Sequence, residues 1–299
     1  MFTVALVTAR AARGLDEDLA PLEGALRAVG VTVQIVDWDD ETADWAAFDV
    51  ALVRSPWDYT QRAPEFLAWA KHVSRQTRLW NPFAVIHWNT DKHYLSQLIQ
   101  AGVPAVPSHF VELGEESATQ LQRFFALYPD VAEFVVKPTI GGGARDAQRY
   151  ERADVEAATA HAQRLLDVKR AALLQPYLNR VDSQGETALI YFEGEFSHAI
   201  RKGPLLRRGQ GPTRALFAEE QITPRIPETD ELEVAARTLA AVPFENPQLY
   251  ARVDLIRDAS GAPCLLELEL TEPSLFFAAA PGAAERFAVA ILARLKQSV

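Results

Sequence analysis

The stretch Arg252-Val-Asp-Leu-Ile-Arg-Asp-Ala-Ser-Gly-Ala-Pro-Cys-Leu-Leu-Glu-Leu-Glu-Leu270 sets the acids Asp254, Glu267 and Glu269 into otherwise apolar runs. Its middle, Asp258 to Pro263, is turn chemistry, so the two runs read as a hairpin. A turn centred between Ser260 and Gly261 places Asp254 opposite Glu267 and Arg252 opposite Glu269. Alternation puts Val253, Leu255, Leu266, Leu268 and Leu270 on a core face and the four charged residues on the other. Opposed side chains have Cβ atoms about 4.5–5.5 Å apart, so these carboxylates repel unless a cation joins them. Hard oxygen donors suit Mg²⁺, which keeps some waters and also binds substrate phosphates. The ordinary alternative is a solvated sheet face with an Arg252–Glu269 ion pair.

A second group carries positive charge and glycine. Lys137 ends the apolar run Glu133-Phe-Val-Val-Lys137, and Gly141, Gly142 and Gly143 follow. Glycines let backbone N–H groups cradle phosphate oxygens, and a lysine beside them adds a point charge. The segment matches neither GxxxxGK[ST] nor GxGxxG. Lys92 is expected on the first turn of a helix opened by Asn89-Thr-Asp-Lys92. Gln175, Pro176, Tyr177 and Leu178 could offer backbone groups and an apolar edge to a flat ring. Arg201 ends the strand of a hairpin that turns at Glu193-Gly194, and Lys202 follows it. Taken singly, each of these features reads first as something ordinary: an exposed side chain, a flexible loop or a strand end.

The elements that must position them are legible. Phe2–Thr8, Val31–Val36 and Val50–Val53 read as strands, with a helical pattern from about Asp16 to Val29 between the first two. Alternating strands and helices imply a parallel α/β sheet, whose ligands gather at the carboxyl ends of the strands. Those ends carry Thr8-Ala-Arg10, Asp37 to Asp40 and Arg54-Ser-Pro-Trp-Asp-Tyr59. Further helices are expected from about Asp154 to Asp167 and Ala283 to Lys296, and residues 203–229 read as a long loop.

The chain has 299 residues and a net charge of −10. No basic stripe stands out, which disfavours a nucleic-acid surface. The single cysteine, Cys264, excludes an internal disulfide framework and a cysteine-rich zinc site. No secretory signal and no run of membrane-spanning length is apparent, so no membrane partner is expected and the cytoplasm is the expected location.

The order of these features is Lys92, Lys137 with the glycine loop, Gln175–Leu178, Arg201, Asp254, Glu267 and Glu269. In that order and spacing the chain resembles the ATP-grasp superfamily over residues 85–299, nearest the bacterial glutathione synthetase branch. The resemblance implies an α/β protein with an α+β nucleotide-binding part. Its units would be an N-terminal domain at 1–88, a connecting helical segment at 89–120, a lid at 121–180 and a metal and substrate part at 181–299. It further implies that Lys92 and Lys137 bind ATP phosphates, that Gly141–Gly143 close over them, and that Gln175–Leu178 hold adenine, with Glu186 near the ribose or metal. Arg201 would stabilise the transferred phosphoryl group and Arg252 would assist. Asp254, Glu267 and Glu269 would hold two Mg²⁺, with Mn²⁺ an alternative. Many members have Asn at the place of Glu269. Ser274 falls where relatives contact substrate. Arg54, or an arginine of the 207–214 loop, would hold the substrate carboxylate. A homo-oligomer is common in that branch.

The sequence as a whole is also similar to the ATP-grasp cyclo-ligases of D-cycloserine biosynthesis. That implies a small carboxylate substrate, O-ureido-D-serine, activated as an acylphosphate and closed by its own aminooxy nitrogen. Two other readings are an intermolecular carboxylate–amine ligase and an ATP-binding regulatory protein without turnover.

Overall fold

The computed structural model describes residues 2–297 apart from 210, 213–215, 217–220 and 246. The N-terminal unit contains β1 (Thr3–Thr8), α1 (Leu19–Ala28), β2 (Thr32–Asp37), β3 (Val50–Ser55), α2 (Ala63–Val73) and β4 (Arg78–Trp80). Its sheet is parallel in the order β2-β1-β3-β4. β1 and β3 are apolar at nearly every position because helices cover both faces.

Two short helices, α3 (Phe83–Asn89) and α4 (Tyr94–Gln100), lead out of this unit. Lys92 lies in the corner between them and not on a helical first turn. Its backbone N–H donates to the Thr139 carbonyl, which ties the corner to the next unit.

That unit comprises β5 (His109–Val111), α5 (Ser117–Leu127), β6 (Glu133–Pro138), β7 (Gln148–Glu151), α6 (Val155–Asp167) and β8 (Ala172–Pro176). Its antiparallel sheet runs β5-β8-β6-β7. The sheet therefore begins at His109, inside the stretch expected to be a helical connection. It has a core of its own, built from Leu121, Phe124, Phe134, Leu165 and Leu174.

The third unit contains α7 (Val181–Gln184), β9 (Glu186–Phe192), β10 (Glu195–Lys202), β11 (Ile222–Arg225), α8 (Thr229–Ala240), β12 (Tyr250–Arg257), β13 (Pro263–Glu269) and α9 (Ala283–Gln297). Its sheet runs β11-β10-β9-β12-β13. β11 falls within the segment that reads as loop, where the strand Ile222–Arg225 pairs with β10. One face of this sheet shares a core with the N-terminal unit: Val4, Leu6 and Leu26 join Ile190, Ile200, Phe287 and Ile291. The first and third units are thus joined through a common apolar core, whereas the second is packed mainly on itself.

Two β-bulges interrupt the third sheet. In β10, Phe196 pairs with Tyr191 and His198 with Ile190, which leaves Ser197 as the extra residue. In β13, Asp254 pairs with Glu267 but Leu255 with Leu265, which leaves Leu266 as the extra residue. A bulge shifts the alternation of every residue beyond it. Among the described residues no helix is long and apolar enough to cross a membrane. Cys264 is a buried free thiol that burial pushes up to about 12, so it is chemically quiet.

Candidate active site

The register of β12 and β13 places Arg252 opposite Glu269 and Asp254 opposite Glu267. The outer edge of β13 is held by side chains. Asn89 donates to the Leu268 carbonyl and accepts from the Leu270 N–H, and Tyr94 accepts from the Leu268 N–H. With Leu268 and Leu270 fixed inward, the alternation aims Glu267 and Glu269 the other way.

Each acid has a cation beside it. Lys92 Nζ lies 2.8 Å from Glu267 and donates to the Gly141 carbonyl at 2.6 Å. Arg252 contacts Glu269 and makes two bonds to Asp254 at 2.9 and 3.0 Å. Lys202 Nζ lies 2.6 Å from Asp254 and 2.9 Å from Glu186. Burial opposes the charge on Lys92, but Glu267 outweighs it and the amine is raised. Burial also opposes ionisation of Glu267 and Asp254, and adjacent cations overcome it, so both are lowered. Glu269 goes the other way: burial, Asp254 and Glu267 outweigh Arg252 and push it up. Burial, with Lys92 and Lys202 adding to it, outweighs the pull of Glu267 and Glu186 and takes Lys137 down to about 8.

This charged face is a shared wall between two cavities. Lys92, Gly141, Gly142, Gly143, Arg252, Glu267 and Glu269 line both. The first lies under the second unit and is also lined by Lys137, Gln175, Pro176, Tyr177, Leu178, Glu186 and Lys202. The second, of about 760 Å³, opens toward the N-terminal unit and is lined by Asp16, Trp57, Tyr59, Glu272, Ser274 and Phe276 among others. The glycine loop is sterically constrained at its first residue: a Cβ on Gly141 would come within 2.9 Å of Pro138.

Residues 4–81 match the family described as the N-terminal domain of D-cycloserine synthetase DcsG. The Cycloserine biosynthesis protein DcsG of Streptomyces lavendulae is 41% identical, covering 99% of this chain and 100% of that protein. The crystal structure of D-cycloserine synthetase DcsG superimposes with a TM-score of 0.92 at 41% identity, covering 98% of this chain and 99% of that one. The chain belongs to the D-cycloserine synthetase family.

Its fold is that of the ATP-grasp ligases. The ATP-grasp ligase PsnB, in complex with a phosphomimetic variant of its minimal precursor, Mg and ADP, has a TM-score of 0.63 at 18% identity over 98% of this chain and 99% of that one.

Within this D-cycloserine synthetase family fold, Arg201, Arg54, Arg208 and Asp254 sit elsewhere than expected. Arg201 is on the opposite sheet face, where it donates to the Gln184 and Ser183 carbonyls at the end of α7. The Ser197 bulge is the reason: without it, Arg201 would pair with Glu186, and with it Lys202 does. Arg54 is 1% exposed, packs over Tyr250 and donates to the Pro273 carbonyl at 2.5 Å, so it braces the loop that carries Ser274. Arg214 lies outside the described residues, and Arg208 pairs with Glu133 at 2.8 Å. Asp254 lies beneath the wall, 1% exposed, with both oxygens bonded to Arg252 and Lys202.

Other residues of the site were missed. Lys202 escaped because a bulge leaves no compositional signal. Leu266 faces the first cavity instead of the core for the same reason, beside Ile256, which alternation from Asp254 already puts on that face. Asp18 accepts from the N–H groups of Leu275, Phe276 and Phe277 and so shapes the second cavity, a contact across 257 residues of chain or more.

The donor set fits Mg²⁺ through two residues. Glu267 and Glu269 are carboxylates on both cavities, with about a quarter of each side chain accessible, 23% and 25%. Among the described residues no three His, Cys, Asp or Glu side chains form a ready cage. The cations between the acids account for that, and Mg²⁺ commonly takes one or two carboxylates plus substrate phosphates.

Proposed function

We propose that the protein is an ATP-dependent cyclo-ligase that converts O-ureido-D-serine to D-cycloserine. The observation that carries this is the shared wall: one charged face serves a cavity suited to a nucleotide and a second, separate cavity suited to a small substrate.

Adenine would lie against Gln175–Leu178, Leu266 and Ile256. Gln175 is oriented by its bond to Ser108 Oγ at 2.9 Å, and Tyr177 is fixed by Arg149, stacked 3.5 Å over its ring. Lys92, Lys137 and Lys202 surround the position of the phosphates, with the Gly141–Gly143 loop above them. Glu267 and Glu269 would hold Mg²⁺, which when bound neutralises charge on the phosphate oxygens. Arg252 borders both cavities and bonds the Ser274 carbonyl at 3.1 Å, which supports a role for it in phosphoryl transfer.

A substrate carboxylate oxygen attacks the γ-phosphorus and ADP leaves. The aminooxy nitrogen then attacks the activated carbonyl carbon and phosphate leaves, which closes the ring. The ureido carbonyl departs as CO₂ and ammonia with consumption of one water. Because both reacting groups belong to one molecule, the closure is unimolecular once the chain is folded back. The glycine loop and second unit shield the acylphosphate from water.

The test is ADP release with Mg²⁺ and ATP, with O-ureido-D-serine alone, D-serine alone and pairs of amino acids. Turnover with the ureido compound alone and a product of cycloserine mass supports the reading. Turnover requiring two substrates assigns an intermolecular ligase, and ATP binding without ADP in any mixture removes the ligase reaction.

A further inference from the structure

Glu272 stands beside the shared wall, in the second cavity, and differs from the acids of that wall in having, among the described residues, no cation in ion-pair contact. Glu267 has Lys92, Glu269 has Arg252, and Asp254 and Glu186 share Lys202. Among the described residues Glu272 has no ion-pair partner within 4 Å, although its side chain lines the substrate cavity. It is held in place from the N-terminal unit: Tyr59 donates to its Oε1 at 2.7 Å, and Trp57 Nε1 to its carbonyl at 3.3 Å. Tyr59 is itself buried. The carboxylate is thus held in a partly buried position with no cation in ion-pair contact among the described residues, Lys92 and Arg252 acting on it from farther away. Burial pushes it up to about 7, against the pull of the Tyr59 bond and of Lys92.

We infer that Glu272, positioned by Tyr59, receives the α-ammonium group of the substrate and sets the requirement for an amino acid. The inference rests on the cyclo-ligase reading. In an α-amino acid a single carbon separates the ammonium from the carboxylate. The group that takes the ammonium must therefore border the corner where the carboxylate meets the phosphate. Glu272 does so, standing between Glu269 at the end of β13 and Ser274 on the loop that follows, with Arg252 bonded to both of those neighbours. Asp16 also lines this cavity, but from the loop after β1, and its Oδ1 accepts the Asp18 N–H.

The experiment compares kcat/KM for O-ureido-D-serine with that for its desamino analogue, 3-(ureidooxy)propanoic acid, in wild type and variants. Loss of a charge-assisted hydrogen bond predicts that Glu272→Gln lowers the amino-over-desamino preference by about 10- to 100-fold, seen in KM more than in kcat. Tyr59→Phe, which keeps the ring, lowers it by about 3- to 10-fold, and thermal melting shows whether each variant is folded. Equal loss on both substrates, or no loss, overturns the inference while leaving the reaction intact. Collapse of the preference in Asp16→Asn but not in Glu272→Gln assigns the ammonium to Asp16 and also overturns it. Absence of wild-type turnover with the ureido compound removes the reaction and the inference together.

Discussion

Lys202 Nζ lies 2.6 Å from Asp254 Oδ2, although β9 separates their strands in the sheet. The lysine reaches past the small side chain of Ala188, which pairs directly with Asp254. The contact puts a buried cation at the base of the phosphate cavity and fixes Asp254 as the anchor of Arg252. Gly185 makes the approach possible: at φ +73 its missing Cβ would lie 2.3 Å from the Lys202 carbonyl.

Lys202→Met is therefore expected to lower kcat by at least about 100-fold, because it removes a cation from the phosphates and leaves Asp254 with one partner. Arg201→Met, one residue away, should stay within about 3-fold of wild type and cost about 1 kcal/mol of stability through the lost carbonyl bonds. Steady-state ADP release with thermal melting separates the two. Equal inactivation would place Arg201 at the chemistry after all.

Glu269 should make the Mg²⁺ requirement depend on pH. Burial, with Asp254 and Glu267 adding to it, raises the carboxyl from 4.5 to about 8, and the metal takes the ionised form. The Mg²⁺ concentration for half-maximal activity should fall as pH rises toward 8 and flatten above it. In the metal-free protein the native state holds this proton longer than the unfolded chain, so stability declines as pH rises between 4.5 and about 8. Glu269→Asn should remove both pH dependences and raise the Mg²⁺ requirement about 10-fold. An unchanged pH profile in that variant would show that another group titrates.

The Leu266 bulge predicts a division of effects between adjacent leucines. Leu266→Ala removes apolar surface from the nucleotide cavity and should raise the KM for ATP about 5- to 10-fold with a small change in melting temperature. Leu265 is fully buried in the neighbouring core, so Leu265→Ala should cost about 2–4 kcal/mol and leave the KM for ATP near wild type. Denaturant unfolding and ATP titration check both. The reverse pattern would mean that β13 is unbulged.

Arg54 is expected to act on stability. Its guanidinium is buried between Tyr250 and the Pro273 carbonyl. Arg54→Met should cost about 2–4 kcal/mol and change the substrate KM by less than about 3-fold at a temperature where the variant is folded. A KM increase of 100-fold without loss of stability would make it the carboxylate ligand instead.

By itself the sequence determined the hairpin and the parallel α/β start, whereas the pairing of Asp254 with Glu267 needs the Leu266 bulge, because next to the turn Arg257–Pro263 and Leu255–Leu265 centre the hairpin on Ser260. The hairpin and the α/β start follow from turn residues and apolar alternation, both readable over a few neighbours. The tertiary structure decided which of two adjacent residues faces the site. Ser197 and Leu266 each add one residue to a strand, and one residue inverts every side chain beyond it. That choice exchanged Arg201 for Lys202 and moved Leu266 from core to cavity. The place of Leu266 is tied to a distant contact: Leu265 beside it is bonded on its outer edge by Pro104 and Val106. The burial of Arg54 and the bracing of residues 275–277 by Asp18 likewise depend on elements more than 200 residues apart, which no local pattern encodes.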